Sequence, residues 1–343
     1  MPSPQFHEAS FYTVLSRSEK KIRCDLCPHH CILTDNKSGF CLARKNINGT
    51  LYALTYLQPV SAAVDPIEKK PLYHFFPGST MYSLGPSGCT FKCSFCQNCD
   101  ISQQLITAKE HSIDSIVNEA VASGGIGIAY TYSEPYTWFE SIMDIAPRIK
   151  KHGLKNVMVT NGFMEEKPLD QLLEYIDAMN IDIKSMNPDF YHRLCKASLE
   201  PVLQTCMQVK KKCHLEITTL LIPGENDSEE EIVQLTDFIA KNLGSDTPLH
   251  FSRYFPRYKL NVPPTSLDSL ERALRIAQTQ LHYVYIGNVP GKDHSTTYCP
   301  HCKTSLVRRN GYIVEIDYNA AISPESGNVS CKNCKNQIPI KMS

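Results

Sequence analysis

The sequence predicts an α/β fold, a partial (βα)6 barrel of the TIM type flanked by two small cysteine-rich regions. Two observations predict it. From Thr80 onward, short β-rich runs alternate with amphipathic helical patterns, the sequence form of parallel βα units. Twelve of the fifteen cysteines also fall into three groups of four, one ahead of the barrel, one inside it and one behind. Residues 1–75 therefore read as a cysteine-rich amino-terminal region, 76–292 as the barrel domain and 293–343 as a carboxyl-terminal module.

The units follow in order. Residues 81–85 read as a strand, and after a cysteine loop Ile113, Ile116, Val117, Ala120 and Val121 lay one apolar stripe on a helix. Residues 126–130 precede a helix at 138–150, and 156–160 precede one at 169–176, with Pro168 suited to its first turn. Residues 179–183 lead into 188–194. A strand at 215–221 stops at Pro223-Gly224, and Ser228 with Glu231 forms a capping box ahead of Ile232, Leu235, Phe238 and Ile239. Residues 249–254 and a helix at 267–278 complete the sixth unit, and Pro290-Gly291 marks the far boundary. In such sheets the chemistry sits at the carboxyl ends of the strands.

Composition narrows the function classes. Lys+Arg and Asp+Glu both number 35, so no net field attracts nucleic acid. Hydrophobic residues make up 42% of the chain, mean hydropathy is −0.26, and no apolar run reaches the roughly 18 residues of a membrane span. The polar start at residues 1–10 lacks a secretory pattern. A cytoplasmic protein is expected, in which thiols stay reduced and grouped cysteines read as metal sites rather than disulfides. Cys195, Cys206 and Cys213 lie outside the groups and read as small buried hydrophobes.

The central group is Cys89, Cys93 and Cys96, with Cys99 close behind. Three thiolates within eight residues, just after the first strand, can converge on one four-iron cubane and leave one iron open to an outside ligand. A zinc knuckle using Cys99 as fourth ligand is the competing reading. Polar residues close the next three strands: Tyr132, Ser133 and Glu134, then Thr160 and Asn161, then Asp182 and Lys184. Taken singly, Asn161-Gly162 reads as a turn and Asp182 with Lys184 as a salt bridge. Gly124, Gly125 and Gly127 precede a strand, so they read as a tight turn and not as a dinucleotide loop.

Cys299, Cys302, Cys331 and Cys334 form two C-x2-C knuckles around a β-rich stretch, the zinc ribbon arrangement, with rubredoxin-type iron as the rival. Cys24, Cys27, Cys31 and Cys41 suit one four-thiolate site for zinc or an auxiliary iron–sulfur cluster, zinc being the first reading; His29 and His30 complicate the count. The segment from Asp65 to Lys70 reads either as a solvated connecting loop or as a lid contacting substrate at the barrel mouth.

The C-x3-C-x2-C spacing, with Phe95 just before the third cysteine, is similar to the signature of the radical S-adenosylmethionine superfamily. Over nearly the whole chain the sequence resembles the AmmeMemoRadiSam system radical S-adenosylmethionine enzymes, which are similar to pyruvate formate-lyase activating enzymes. The resemblance rests on Cys24-Asp-Leu-Cys27-Pro-His-His-Cys31, Gly39-Phe-Cys41, Asp65-Pro-Ile-Glu-Lys-Lys-Pro-Leu-Tyr-His74, Phe76-Pro-Gly-Ser79, Cys96-Gln-Asn98, Ile101-Ser-Gln103 and His250-Phe-Ser-Arg-Tyr254. It implies a 4Fe-4S cluster on Cys89, Cys93 and Cys96, with S-adenosylmethionine at the open iron. It implies reductive cleavage to a 5'-deoxyadenosyl radical that abstracts hydrogen from a protein, peptide or small molecule, with flavodoxin or ferredoxin as electron donor. Tyr132 and Glu134 lie in a stretch resembling the superfamily's Gly-Gly-Glu-Pro element, which receives the methionine ammonium. The resemblance also implies Phe95 near the adenine and Asn161, Asp182 and Lys184 around ribose and carboxylate. The family usually has an aromatic residue where Cys99 stands. A non-catalytic zinc-rich module that binds protein or nucleic acid is the alternative reading.

Overall fold

The structure is a computed structural model and describes residues 6–289, 294–317 and 328–342. The boundary expected at Pro290-Gly291 lies outside the described residues. One eight-stranded sheet runs in sequence order: β1 (Ser61–Pro66), β2 (Thr80–Gly85), β3 (Gly127–Tyr130), β4 (Lys155–Thr160), β5 (Ala178–Asp182), β6 (His214–Leu221), β7 (Leu249–Arg253) and β8 (Val284–Gly287). β1 is antiparallel to β2, and each later pair is parallel. The six expected strands are β2 to β7. The sheet is wider than that reading by one strand at each edge.

Helices α1 (Ile113–Ala122), α2 (Phe139–Lys151), α3 (Glu166–Leu172), α4 (Glu200–Lys210), α5 (Glu229–Phe238) and α6 (Leu267–Ala277) cover the outer face. Ile128, Met158, Ile181 and Ile217 of the strands bury there against Ile145, Leu169, Val202 and Leu235 of the helices. Ser228 caps α5 by accepting from the Glu231 N–H, as expected. Glu231 turns its carboxylate instead to Ser185 Oγ and the Met186 N–H, so the reciprocal half of the capping box does not form. Where a helix was expected at 188–194, the chain makes a short turn, Pro188–Phe190, that runs into a π-helical segment, Tyr191–Cys195. The main helix of that unit is α4.

The inward face of the barrel is polar, because alternate strand residues there carry Ser83, Asn180, Glu216 and His250. Residues 67–76 cross this space at the end opposite the cysteine loop. Asn180 Nδ2 donates to the Pro71 carbonyl at 2.8 Å. The N–H groups of Tyr73 and His74 donate to the two oxygens of Glu216 at 3.0 and 2.7 Å, and His214 and His250 approach the same carboxylate through Nε2 at 2.9 and 2.6 Å. Asp65, Glu68, Lys70 and His74 are all at most 4% exposed. The Asp65 to Lys70 segment is therefore neither a solvated loop nor a lid at the mouth. It is the entry to the barrel floor.

The carboxyl-terminal residues build on that floor. Thr297–Tyr298, Ser305–Asn310 and Ile313–Ile316 form one small sheet, and Asn328–Ser330 pairs with Gln337–Lys341. A module of this size lacks surface enough for its own core, and Leu306, Val329, Ile338 and Ile340 share one with Tyr73, Tyr283 and Tyr285 of the barrel. Lys341 donates from its N–H to His74 O and accepts from Phe76 N, both at 2.8 Å. Two three-stranded antiparallel sheets make up the amino-terminal region. It is tied to α2 by Arg44, 1% exposed, whose guanidinium NH2 group donates to both oxygens of Glu140 at 2.7 Å.

Candidate active site

The loop after β2 carries Cys89, Cys93 and Cys96. Gly88 opens it at φ +95°, and a Cβ there would lie 2.5 Å from the Cys41 carbonyl oxygen, so only glycine lets the loop sit this close to the amino-terminal region. Lys92 N and Ser94 N donate to the carbonyls of Cys195 and Leu194 at 2.8 and 2.9 Å, which straps the loop to the π-helical segment. Backbone N–H groups point at the sulfurs: Phe91 N lies 3.3 Å from Cys89 Sγ, Asn98 N reaches Cys96, and Ser102 Oγ is 3.1 Å from Cys96 Sγ. A hydrogen bond with Cys195 and burial push the Cys93 thiol well above its ordinary range. Such thiols become thiolates when a metal replaces the proton, and the N–H donors stabilise them in that form. The residues present fit a cluster held by three cysteines.

The strand ends converge on this loop. Asn161 donates from Nδ2 to Thr90 Oγ1 at 3.0 Å and lies 3.7 Å from Cys89 Sγ. Gly162 follows at φ +71°, where a Cβ would meet Ile181 Cγ2 at 2.8 Å; the Asn-Gly pair is a turn and also a tether for the cluster loop. Glu134 is buried and holds three donors of its own chain: Thr160 Oγ1 at 2.7 Å, Asn161 N at 2.9 Å and Tyr136 N at 3.0 Å. Burial outweighs those bonds and raises its carboxyl to about 7. Lys184 and Asp182 form the expected salt bridge at 2.7 Å. Burial opposes the Lys184 charge, but the Asp182 carboxylate holds it protonated.

Two further expected residues have partners within the chain. Phe95 is buried against Phe190, with ring centroids 5.7 Å apart. Tyr132, at φ +69°, packs over Gly85 and sends its hydroxyl to Asp65, while Lys70 Nζ lies 4.5 Å from its ring centroid. Its carbonyl accepts from Asn98 Nδ2 of the cluster loop. Cys99 donates to its neighbour Asp100 at 3.6 Å. Lys92 was not singled out in the sequence, and Cys195 was read there only as a small buried hydrophobe, without its bond to Cys93. Only the pattern of basic and sulfur residues flanking a cysteine loop could have flagged them.

The three cysteine groups differ in spacing. Cys299, Cys302, Cys331 and Cys334 offer sulfurs all within 4.8 Å of one another, with 3.5 Å between Cys299 and Cys334 and between Cys302 and Cys331. Four thiolates around one tetrahedral ion lie about 3.8 Å apart, given a metal–sulfur bond of about 2.3 Å. The Thr304 hydroxyl and N–H bring the Cys302 thiol down to about 5, the thiolate form an ion requires. His301 is exposed. Among the described residues, neither the central nor the amino-terminal cysteines form so tight a group. Three cysteines on a cubane bind different irons and stand farther apart than ligands of one ion. His29 turns its Nε2 to the Thr90 carbonyl at 2.7 Å and His30 pairs through Nε2 with Glu165 at 3.1 Å, so each commits one ring nitrogen to a partner in the chain.

Residues 85–236 match the radical SAM superfamily, from the end of β2 into α5. An uncharacterised protein of Methanocaldococcus jannaschii is 44% identical over 342 residues, spanning 97% of this chain and 99% of its own length. The chain belongs to the radical SAM superfamily. It is also homologous to the pyruvate formate-lyase 1-activating enzyme of Escherichia coli strain K12, at 26% identity over 57% of this chain and 88% of that enzyme. The crystal structure of a radical SAM methyltransferase from Sphaerobacter thermophilus shares the fold, with a TM-score of 0.50 at 17% identity over 62% of this chain and 67% of that one. Membership of that superfamily implies a 4Fe-4S cluster and S-adenosylmethionine. Among the described residues, no helix is long and apolar enough to cross a membrane.

Proposed function

We propose that the chain is an activating-enzyme-like member of the AmmeMemoRadiSam group that abstracts a hydrogen atom from a protein, peptide or small-molecule substrate. One observation carries the reading: Cys89, Cys93 and Cys96 lie outside the tight spacing of a one-ion group, while Asn161 from one strand end lies 3.7 Å from Cys89 Sγ and the Lys184 charge from another acts on Cys93 and Cys96. When bound, the cluster and S-adenosylmethionine supply an electron, a carbon–sulfur cleavage and a 5'-deoxyadenosyl radical.

The residues of the chain hold and orient. Cys89, Cys93 and Cys96 hold the cluster. Glu134 fixes the Asn161 backbone and thereby the end of β4, and with the Tyr132 carbonyl it faces the methionine ammonium. Asn161 and the Asp182–Lys184 pair present polar groups to ribose and carboxylate, and Phe95 forms an apolar wall toward the adenine. Four thiolates at Cys299, Cys302, Cys331 and Cys334 hold zinc, which fastens the carboxyl-terminal module to the floor. Flavodoxin or ferredoxin serves as the electron donor, and the work is done in the cytoplasm.

Anaerobic reconstitution tests this. The expected result is a 4Fe-4S spectrum, with 5'-deoxyadenosine released only when reductant and S-adenosylmethionine are both present and lost in the Cys89→Ala/Cys93→Ala/Cys96→Ala variant. Zinc at the central cysteines without cleavage would sink the proposal.

A further inference from the structure

We propose that Cys24, Cys27, Cys31 and Cys41 hold a polynuclear iron–sulfur cluster, and that it exchanges electrons with the cluster on Cys89, Cys93 and Cys96. Zinc, the first reading of the sequence, fits less well. Among the described residues, the amino-terminal sulfurs, like the central ones, lie outside the tight spacing that the carboxyl-terminal group shows. Donors nonetheless surround them as they would a metal-bound thiolate. Backbone N–H groups of Leu26, His29 and Ala43 reach the sulfurs of Cys24, Cys27 and Cys41, and Phe40 N lies 3.4 Å from Cys31 Sγ. Gly39 exposes bare backbone to Cys41 and Cys31, whose sulfurs are 3.8 and 3.9 Å from where its Cβ would stand.

Lys92 connects this group to the centre. Its Nζ is sealed from solvent and has no hydrogen-bond partner, and it lies 5.3 Å from the Phe40 ring centroid. Cys41 of the amino-terminal group and Cys89, Cys96 and Cys93 of the central one are all near enough for their charges to act on that ammonium. An isolated buried ammonium is costly unless anionic groups compensate it. Two anionic clusters near Lys92 provide that compensation. The two segments touch as well, since the Cys41 carbonyl sits against Gly88 and the His29 ring bonds the Thr90 carbonyl in the central loop. One electron from a low-potential carrier reduces the amino-terminal centre and moves on to the central one. No atom is transferred, and no bond forms or breaks at the four thiolates.

The exchange rests on the radical reading of Cys89, Cys93 and Cys96, whereas the identity of the amino-terminal metal does not. The test uses the full chain, reconstituted without oxygen, as wild type, as Cys24→Ser/Cys41→Ser and as Cys89→Ser/Cys93→Ser/Cys96→Ser. Iron and zinc are measured by mass spectrometry and the reduced samples by electron paramagnetic resonance. Each variant is expected to lose about half of the wild-type iron, as two four-iron clusters require, with zinc unchanged. Reduced wild type shows spin–spin broadening that both variants lack. Loss of zinc but no iron from the first variant overturns the cluster, and unbroadened wild-type signals overturn the exchange. If the first variant does not fold, the second decides: residual iron upholds the amino-terminal cluster, and zinc alone refutes it. Failure to cleave S-adenosylmethionine with both clusters assembled would instead count against the proposed radical reaction.

Discussion

At the barrel floor, Glu216 has both oxygens occupied twice, by Tyr73 N, His74 N, His214 and His250. At the mouth, Lys92 Nζ is equally sealed but bonds nothing, and Asn161 reaches across to a cysteine sulfur. Both ends are polar and buried, so burial of polar groups does not by itself mark a working site. What separates them is closure. The Glu216 carboxylate is fully partnered by its own chain and fixes the fold, whereas Lys92 Nζ at the mouth keeps capacity directed at something the chain does not supply.

The sharpest way to break this contrast is Glu216→Ala. Removing a buried carboxylate strands two N–H groups and two imidazoles, at a cost of about 3–5 kcal/mol. Chemical denaturation is expected to show that loss, together with release of the carboxyl-terminal module as Tyr73 and His74 shift. A loss below about 1 kcal/mol would mean that the floor is not the wired end.

Acid probes the same end more gently. Burial brings His74 down to about 3, against about 6.5 in an unfolded chain. Between those values the unfolded chain takes up a proton that the folded one refuses, so stability falls as pH drops below about 6.5. The effect amounts to about 3 kcal/mol by pH 4.5. The His214 and His250 bonds act in the same direction: against the opposing effect of burial, they hold Glu216 well below the usual carboxylate range, and their benefit disappears as the pH falls through that value. Melting temperatures of wild type and His74→Asn at pH 7 and 4.5 check this, with a shallower pH dependence expected in the variant.

The same contrast explains what the sequence disclosed. Six strands and the cysteine groups are legible because periodicity and spacing are local. The block from Asp65 to His74 and the His250 block looked as distinctive as the cysteine loop, yet they meet at Glu216 across 34 residues or more of chain, a pairing that no local pattern reveals. α4 went unread because its inward stripe is Val202, Thr205, Cys206 and Val209, and two of those four residues are weakly apolar. β1 carries Pro66 and alternates poorly, as its exposed middle residues show.

Cys195 sharpens the comparison from the mouth side. It is fully buried, as the sequence reading expected of a small hydrophobe, but its sulfur also bonds Cys93. Hydrogen bonds to cluster sulfurs set reduction potential. Cys195→Ala is expected to keep the central cluster and cost about 1 kcal/mol or less, while shifting the midpoint potential; Cys195→Ser, which keeps a donor, should restore it. Identical potentials in all three proteins would reduce the contact to packing.

The smallest effect is expected at Cys99. It stands three residues after Cys96, where the resembled family carries an aromatic side chain, and could in principle take the iron that S-adenosylmethionine needs. Its thiol instead donates to Asp100, whose carboxylate is held by Arg257 at 2.8 Å. Cys99→Ala and Cys99→Tyr should therefore cleave S-adenosylmethionine within about twofold of wild type, less than the roughly 0.4 kcal/mol such a ratio represents. Loss of cleavage with an intact cluster spectrum would give Cys99 a part in the reaction, and the open valence at the mouth would then be shared between a cofactor and a fourth thiol.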